Sequence, residues 1–490
     1  MLSSSRQVIS FTLLVQVFGF LKTVLIANYF GAGADLDGYY LALVVPSLIV
    51  GILAGMLQTG FVSVYMERVA DDEDKAAQIR KQVFSLLVYV LVPFACVLSI
   101  LSEPLVNLLV LSGNDAVFAA TLTAMRLLIF LTVLNALIDY AALIFNAHKR
   151  FMLASAAPLI NISISSLFLV AFHSQGQLAL TYGLLLGVGI QLVFILAYLR
   201  YLKLPVGLVP IKFDSDLKKI LSLSFAILLG VCLANMNLAV DQVMASMVGE
   251  GAVSQIGYAN RFHNLVVQVV VMSVSAVLLT QLTSLVVQKN TESIKRLFQS
   301  LSSLIIFIGI IISISIYMLG KPLVSVLLER GAMTENDVST IANLWFFYAI
   351  GLIPMMWGIA LAKFFQATRS PTLITILALL SFLLNVTFNL ILIMLYGILG
   401  LAISTSLTYL IIALLYHVFF ARKTQFAFSD LSRKVTSVIL ATLFLISYKH
   451  YLHDALATYH NIILTLIILV ASTVLLNVKK ELIYIRDTYD

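Results

Sequence analysis

Apolar runs about 20 residues long follow one another from end to end of this chain, and they leave few folds open. A run of that length crosses hydrocarbon as a helix. Lipid offers no water to an unpaired backbone, so only helices and closed barrels span it. Barrel strands alternate apolar and polar residues, whereas these runs are continuously apolar. With 490 residues, 61% hydrophobic and only 11% charged, and a mean hydropathy of +1.04, the chain is expected to be an all-α polytopic membrane protein. The runs predict about fourteen transmembrane helices, the last two over 433–450 and 460–477.

The second half of the chain restarts the first. At an offset of 218 positions, Ala245, Gly249, Gly251, Ala252 and Tyr258 fall on Ala27, Gly31, Gly33, Ala34 and Tyr40. The same offset lays Pro322, Leu323, Val324, Leu327 and Gly331 on Pro104, Leu105, Val106, Leu109 and Gly113. At 220, Ala362, Phe365 and Ala367 fall on Ala142, Phe145 and Ala147, each just before a basic turn. Three windows in one order indicate duplication of a unit of roughly 210 residues holding six spans. Six is even, so the two copies insert in the same orientation as parallel six-helix repeats. The expected domains are a first lobe over 1–205, a cytoplasmic linker over 206–217, a second lobe over 218–422, and two further spans with a tail over 423–490.

Basic residues gather in alternate connections, among them Arg68, Lys149, Arg200, Lys289 and Arg422, and only Lys321, Arg330 and Lys449 fall on the opposite side. The positive-inside rule then puts both termini in the cytoplasm. The first apolar run, from about Val8 to Phe30, is longer than a signal-peptide core and is expected to stay as a span. The charged run Glu67–Lys81 is expected to be a solvated helical connection. The net charge of +7 thus follows membrane topology and implies no nucleic-acid partner.

Four basic residues remain inside the spans: Lys22, Arg126, Arg261 and Lys363. Each costs a few kcal/mol at mid-bilayer unless it faces protein or water. Lys22 and Arg261 sit deep and are expected to line a cleft between the lobes, where fixed cations suit phosphate oxygens. Arg126 and Lys363 lie nearer span ends, where a long side chain reaches the interface. The intramembrane acids are Asp139 and Asp241. Asp241, with Asn385 and Asn389 one turn apart and Thr405, supplies oxygen ligands for a small hard cation such as sodium, or hydrogen bonds between helices. Cys96 and Cys232 have no disulfide or metal spacing, and His450, His453, Asp454 and His460 crowd an outer loop more in keeping with solvation than with zinc. No catalytic motif is present, so no enzyme is expected.

The stretches GFLKTVLIANYFGAGADLDGYYLALVVP, VDQVMASMVGEGAVSQIGYANRF and LLERGAMTENDV resemble the MurJ (MviN) lipid II flippase family of the multidrug/oligosaccharidyl-lipid/polysaccharide exporter superfamily. The resemblance covers nearly the whole chain. It implies a flippase in the bacterial cytoplasmic membrane that carries a polyprenyl-diphosphate-linked oligosaccharide across by alternating access, with the last two spans as a groove for the lipid tail. Carried over by position, the family's cavity cations fall on Gln16, Lys22, Val50 and Arg261. Its outer aspartate falls on Asp37, and its sodium ligands on Asp241, Asn385, Asn389 and Thr405.

The resulting expectation assigns the diphosphate to Lys22 and Arg261, cavity and gating roles to Gln16, Asp37, Arg126 and Asn260, and no cofactor beyond sodium as a coupling ion. Two of the four family cations are neutral here. Repeat units of an exopolysaccharide, capsule or O-antigen therefore stand beside lipid II as expected cargo. The competing readings are a cation-coupled drug antiporter of the MATE type, which predicts an acidic cavity and twelve spans, and a non-transporting scaffold that binds envelope-synthesis enzymes.

Overall fold

The computed structural model describes residues 2–288 and 290–426. The spans expected over 433–450 and 460–477, and the histidine-rich loop between them, lie outside the described residues. In the first half the helices are α1 (Leu2–Phe30), α2 (Ala34–Met56), α3 (Val62–Asp71), α4 (Glu73–Ile100), α5 (Ser102–Leu109), α6 (Asp115–Leu128), α7 (Leu131–Ala147), α8 (Phe151–Ala156), α9 (Pro158–Phe172) and α10 (Gln177–Tyr201). The second half continues with α11 (Ser215–Ala245), α12 (Ala252–Val287), α13 (Thr291–Leu328), α14 (Glu335–Ile350), α15 (Leu352–Ala367), α16 (Pro371–Tyr396) and α17 (Leu399–Thr424). Among the described residues, nine helical stretches are long and apolar enough to cross a membrane, and two bent pairs raise the number to eleven. Helix α12 occupies the place of the span expected over 252–287.

The duplication is written in the turns as well as in the sequence. Left-handed backbone recurs at the repeat offset: Gly31 with Gly249, Gly113 with Gly331, Lys149 with Arg369, Gly176 with Gly397, and Lys203 with Gln425. The basic members close helices by the same pair of bonds: Arg150 N–H donates to Phe145 O and Lys149 N–H to Asn146 O, while Ser370 N–H donates to Phe365 O and Arg369 N–H to Gln366 O. This is the capping geometry of a helix whose C′ residue is left-handed.

The fourth span of each repeat is broken at the same place. The α6–α7 pair bends by 46° and the α14–α15 pair by 42°. A break in a membrane helix frees carbonyls that another group must satisfy. Ser99 Oγ donates to Arg126 O (2.9 Å) at the first break; Ser406 Oγ donates to Phe347 O (2.6 Å) and Ser313 Oγ to Ala349 O (3.0 Å) at the second. Arg126 and Phe347 each lie four residues before the break, at Phe130 and Gly351. The same carbonyl is rescued by hydroxyls from unrelated places in the chain.

The described chain forms two compact units: Met1–Tyr258 with Leu327–Asp337, and Ala259–Val326 with the chain from Val338 onward. In the first, α2 packs on α6, α7 and α11. Close approach to α11 is possible because Gly51, Gly55 and Gly60 face Asn235, Val231 and Ser224. A π-helical turn, Leu57–Phe61, inserts the extra residue that keeps Gly60 in line with Gly51 and Gly55. In the second unit, α15, α16 and α17 pack together, and Phe364 meets Phe298 and Phe420 edge to face while Phe298 tilts against Phe420, with centroids 4.5–6.1 Å apart.

Candidate functional site

Three turns of the first unit meet at one end of its helices: the turn after α1, the turn between α11 and α12, and the turn after α13. Asp37, in the first turn of α2 and 1% exposed, organises them. Its Oδ2 accepts from Gly251 N–H (2.6 Å), and its Oδ1 accepts from Ser254 N–H (2.7 Å) and from the Ser254 hydroxyl. These donors are the orphan amides that open α12, so the carboxylate caps a helix belonging to the other sequence repeat. Around it, Tyr258 OH donates to Gly31 O (3.0 Å), Ala34 N–H to Glu250 Oε1 (3.1 Å), Ala332 N–H to Asn28 O (3.0 Å) and Gln255 Nε2 to Asp337 Oδ1 (2.8 Å). Gly31 and Gly331 are both left-handed, and a Cβ on either would strike the backbone of the opposite turn. Thr334 caps α14 through the same Asp337, which ties the third turn down.

The cationic positions are spread over the two units. Lys22 and Gln16 are half-buried on α1 in the first; Arg261 and Asn260 are half-buried on α12 in the second. Arg126 is exposed in the last turn of α6, and Lys363 Nζ donates to Gln366 Oε1 (3.2 Å) one turn on. Asp241 is 5% exposed on α11. In the second unit Asn385 and Asn389 are buried one turn apart on α16, with Asn389 Nδ2 donating to Asn385 Oδ1 (3.3 Å). Thr405, half-buried on α17, donates to Leu401 O (3.0 Å), and its neighbour Ser404 donates to Asn385 O (3.2 Å). Among the described residues, no group of three or more His, Cys, Asp or Glu residues forms a metal site.

The opposite end of the first unit corrects one expectation. The run Glu67–Lys81 is not simply a solvated face. Arg80 is 2% exposed, with Nη1 donating to Tyr65 OH (2.9 Å) and lying 3.6 Å from Glu73, while its Nε reaches Pro205 O (3.4 Å) in the connection from α10 to α11. Tyr140 OH donates back to Arg80 O (2.6 Å), and Ser85 Oγ accepts from Val209 N–H (2.8 Å). Arg68 forms a bidentate pair with Asp216 on α11 (2.7 and 2.9 Å), and Lys219 meets Glu67 (2.8 Å). The pattern looked solvated because charged residues dominate it; the buried one is identified only by the linker that folds back over it.

A family model for the lipid II flippase MurJ matches residues 26–471. The chain belongs to the MurJ family. It is 28% identical over 439 residues to the probable lipid II flippase MurJ of Vibrio cholerae serotype O1, covering 85% of this chain and 82% of that protein. It is 24% identical over 455 residues to the probable lipid II flippase MurJ of Buchnera aphidicola subsp. Schizaphis graminum, covering 90% and 88%. Among solved structures, a lipid II flippase MurJ in an inward closed conformation superposes with a TM-score of 0.80 at 20% identity over the whole of both chains. An inward-facing MATE transporter of the MOP superfamily follows with a TM-score of 0.71 at 14% identity, covering 87% of this chain and 98% of that one. The MurJ family is a family of transporters, in line with the absence of any catalytic motif, and this member is a multi-pass membrane protein.

In this MurJ family member, the family resemblance singles out Asp37 but not its partners. Ser254 carried a faint signal, since it is the third residue of a helix that opens after glycine, where an incoming acceptor satisfies free amides.

Proposed function

We propose that this chain moves lipid II across the bacterial cytoplasmic membrane by alternating access, with both termini in the cytoplasm. The observation that carries the reading is the match to the MurJ family over residues 26–471. Lys22 and Arg261 hold the diphosphate as ammonium and guanidinium donors. Gln16, Asn260 and Arg126 supply neutral and rim contacts, and the tail lies against the spans over 433–477. The lobes are the sequence repeats 1–205 and 218–422, and the contact of Asp37 with the first turn of α12 latches the outer end while cargo is taken from the inside. Asp241, Asn385, Asn389 and Thr405 bind sodium weakly, having one carboxylate among neutral oxygens.

The test is transport of labelled lipid II in proteoliposomes by wild type and by Lys22→Ala and Arg261→Ala, with sodium present or replaced by choline. Movement of lipid II that either alanine abolishes supports the reading. A chain that moves only a non-peptidoglycan polyprenyl-diphosphate glycan overturns lipid II as cargo, and the neutral residues at Gln16 and Val50 are the reason to include that arm.

A further inference from the structure

Asp139 is an intramembrane carboxylate to which the transport reading gives no task. It lies on α7, eight residues before Ala147, which puts it about 12 Å from that end of the helix. Asn135, Asp139, Ala142 and Asn146 follow at spacings of four, three and four, so they form one stripe. All four are half-buried or exposed, while Ala136, Tyr140, Ala141, Ile144 and Phe145 on the rest of the circumference are buried. A stripe of two asparagines and an aspartate is too costly against lipid and is tolerated where it meets water.

Among the described residues, nothing on the neighbouring helices neutralises it. Among the described residues Asp139 has no hydrogen-bond donor and no cation within 4 Å. The acids of α2, Asp35 and Asp37, stand in its first turn at the other end. On α4, Arg80 is engaged with Tyr65 and Glu73, Lys75 with Asp72, and Lys81 forms no ion pair with Asp139; on α3, Glu67 and Arg68 are paired with Lys219 and Asp216. The cation of α10, Arg200, is in its last turn, α8 carries no charged residue, and His148 beyond α7 is bonded to Tyr65. A lone carboxylate in such a place changes the energy of its surroundings by a full charge each time it gains or loses a proton.

We propose that Asp139 is a proton-binding site of the first repeat, loading a proton when its stripe is sheltered and releasing it when water reaches the stripe. An O–H bond forms on one carboxyl oxygen, the proton comes from water on one side of the membrane, and it leaves to water on the other. Sodium is the poorer fit, because it takes about six oxygen ligands and, among the described residues of the stripe, only Asn135 offers an amide one turn from the aspartate. As a coupling device the site rests on the lipid II transport reading; as a proton site it does not.

Two measurements on the full chain separate these. In sodium-free proteoliposomes, the wild-type rate of lipid II movement should depend on an imposed pH gradient, Asp139→Asn should lose that dependence, and Asp139→Glu should keep it. A variant with aspartate replaced by asparagine that still responds to the gradient overturns the proposal, as does a wild type driven by sodium alone. Infrared difference spectra of the purified protein on acidification should show a protonated-carboxyl band in wild type that is missing in Asp139→Asn and shifted in Asp139→Glu. If lipid II does not move but the band is present, the transport reading fails and the proton site stands; if the band is unchanged in Asp139→Asn, the proton site fails whatever the transport result.

Discussion

The carboxylate of Asp37 and the first turn of α12 at Ser254 are bonded across 217 residues of sequence, at positions that open the second helix of each repeat. Three donors converge on two oxygens, all buried, so the contact is a charge-assisted cap rather than a surface ion pair.

Asp37→Asn keeps one acceptor but turns an amide NH2 or a lone oxygen toward donors that need a carboxylate. The loss is about 2–3 kcal/mol, or on the order of a hundredfold in any equilibrium the contact controls. In a background lacking Cys96 and Cys232, Gly33→Cys should react faster with a membrane-impermeant thiol reagent when Asp37 is asparagine. Equal rates would show that the contact does not hold the turns together.

Gly113 and Gly331 are equivalent in the repeat and share a left-handed φ of 65° and 60°, but their surroundings differ. A Cβ on Gly113 meets nothing within 4 Å, whereas one on Gly331 strikes Asn28 O. Gly113→Ala should cost about 1–2 kcal/mol from backbone strain alone. Gly331→Ala adds a steric clash with a rigid carbonyl and should cost about twice that or more. Thermal unfolding of the two variants in detergent measures the difference, and equal losses would mean that the turn after α13 relaxes away from α1.

What the sequence made legible follows from the solvent it anticipates. Hydrophobic runs located the helices between Val8 and Ala421 because a membrane leaves the backbone no other option, and the glycines at 31, 113, 249 and 331 carried the repeat because their backbone conformation admits little else. The breaks at Phe130 and Gly351 did not show. An apolar helix reads the same whether it is straight or bent, and the hydroxyls that repair the breaks, Ser99 and Ser406, come from other helices. Charge gave the opposite error at Arg80. Its burial depends on Pro205 and Tyr65, neither of which a local pattern can bring together with it.

That buried guanidinium sets a third prediction. Arg80 donates to Tyr65 and reaches Pro205 in the connection from α10 to α11, and its own carbonyl accepts from Tyr140, so it joins α3, α4, α7 and that connection. Arg80→Ala leaves a cavity and strips Tyr65 OH of a donor, and should lower stability by about 3 kcal/mol. Arg80→Lys keeps the charge without the fork and should recover only part of it. Limited proteolysis in the 203–214 segment should follow the same order. Wild-type resistance in Arg80→Ala would mean that Ser85, through Val209 and Gly207, holds the linker unaided.

Tyr65 also pairs with His148, a group whose charge depends on its burial. The Tyr65 hydroxyl accepts from Arg80 and lies 2.9 Å from His148 Nε2, so its hydrogen is free to be donated to that nitrogen when the ring is neutral with Nε2 unprotonated. Burial lowers the His148 pKa first of all; Glu73 raises it and Arg80 lowers it further. The folded state thus favours the neutral ring, so the contribution of His148 to stability is full above the ordinary histidine pKa of about 6.5. It declines as pH falls below that value and levels off beneath the depressed folded pKa. Unfolding temperatures of wild type and His148→Gln, measured in detergent from neutral to mildly acid pH, should converge as pH falls, because glutamine keeps an acceptor for Tyr65 but cannot gain a charge. A gap that stays constant with pH would show that burial does not hold His148 neutral in the folded chain.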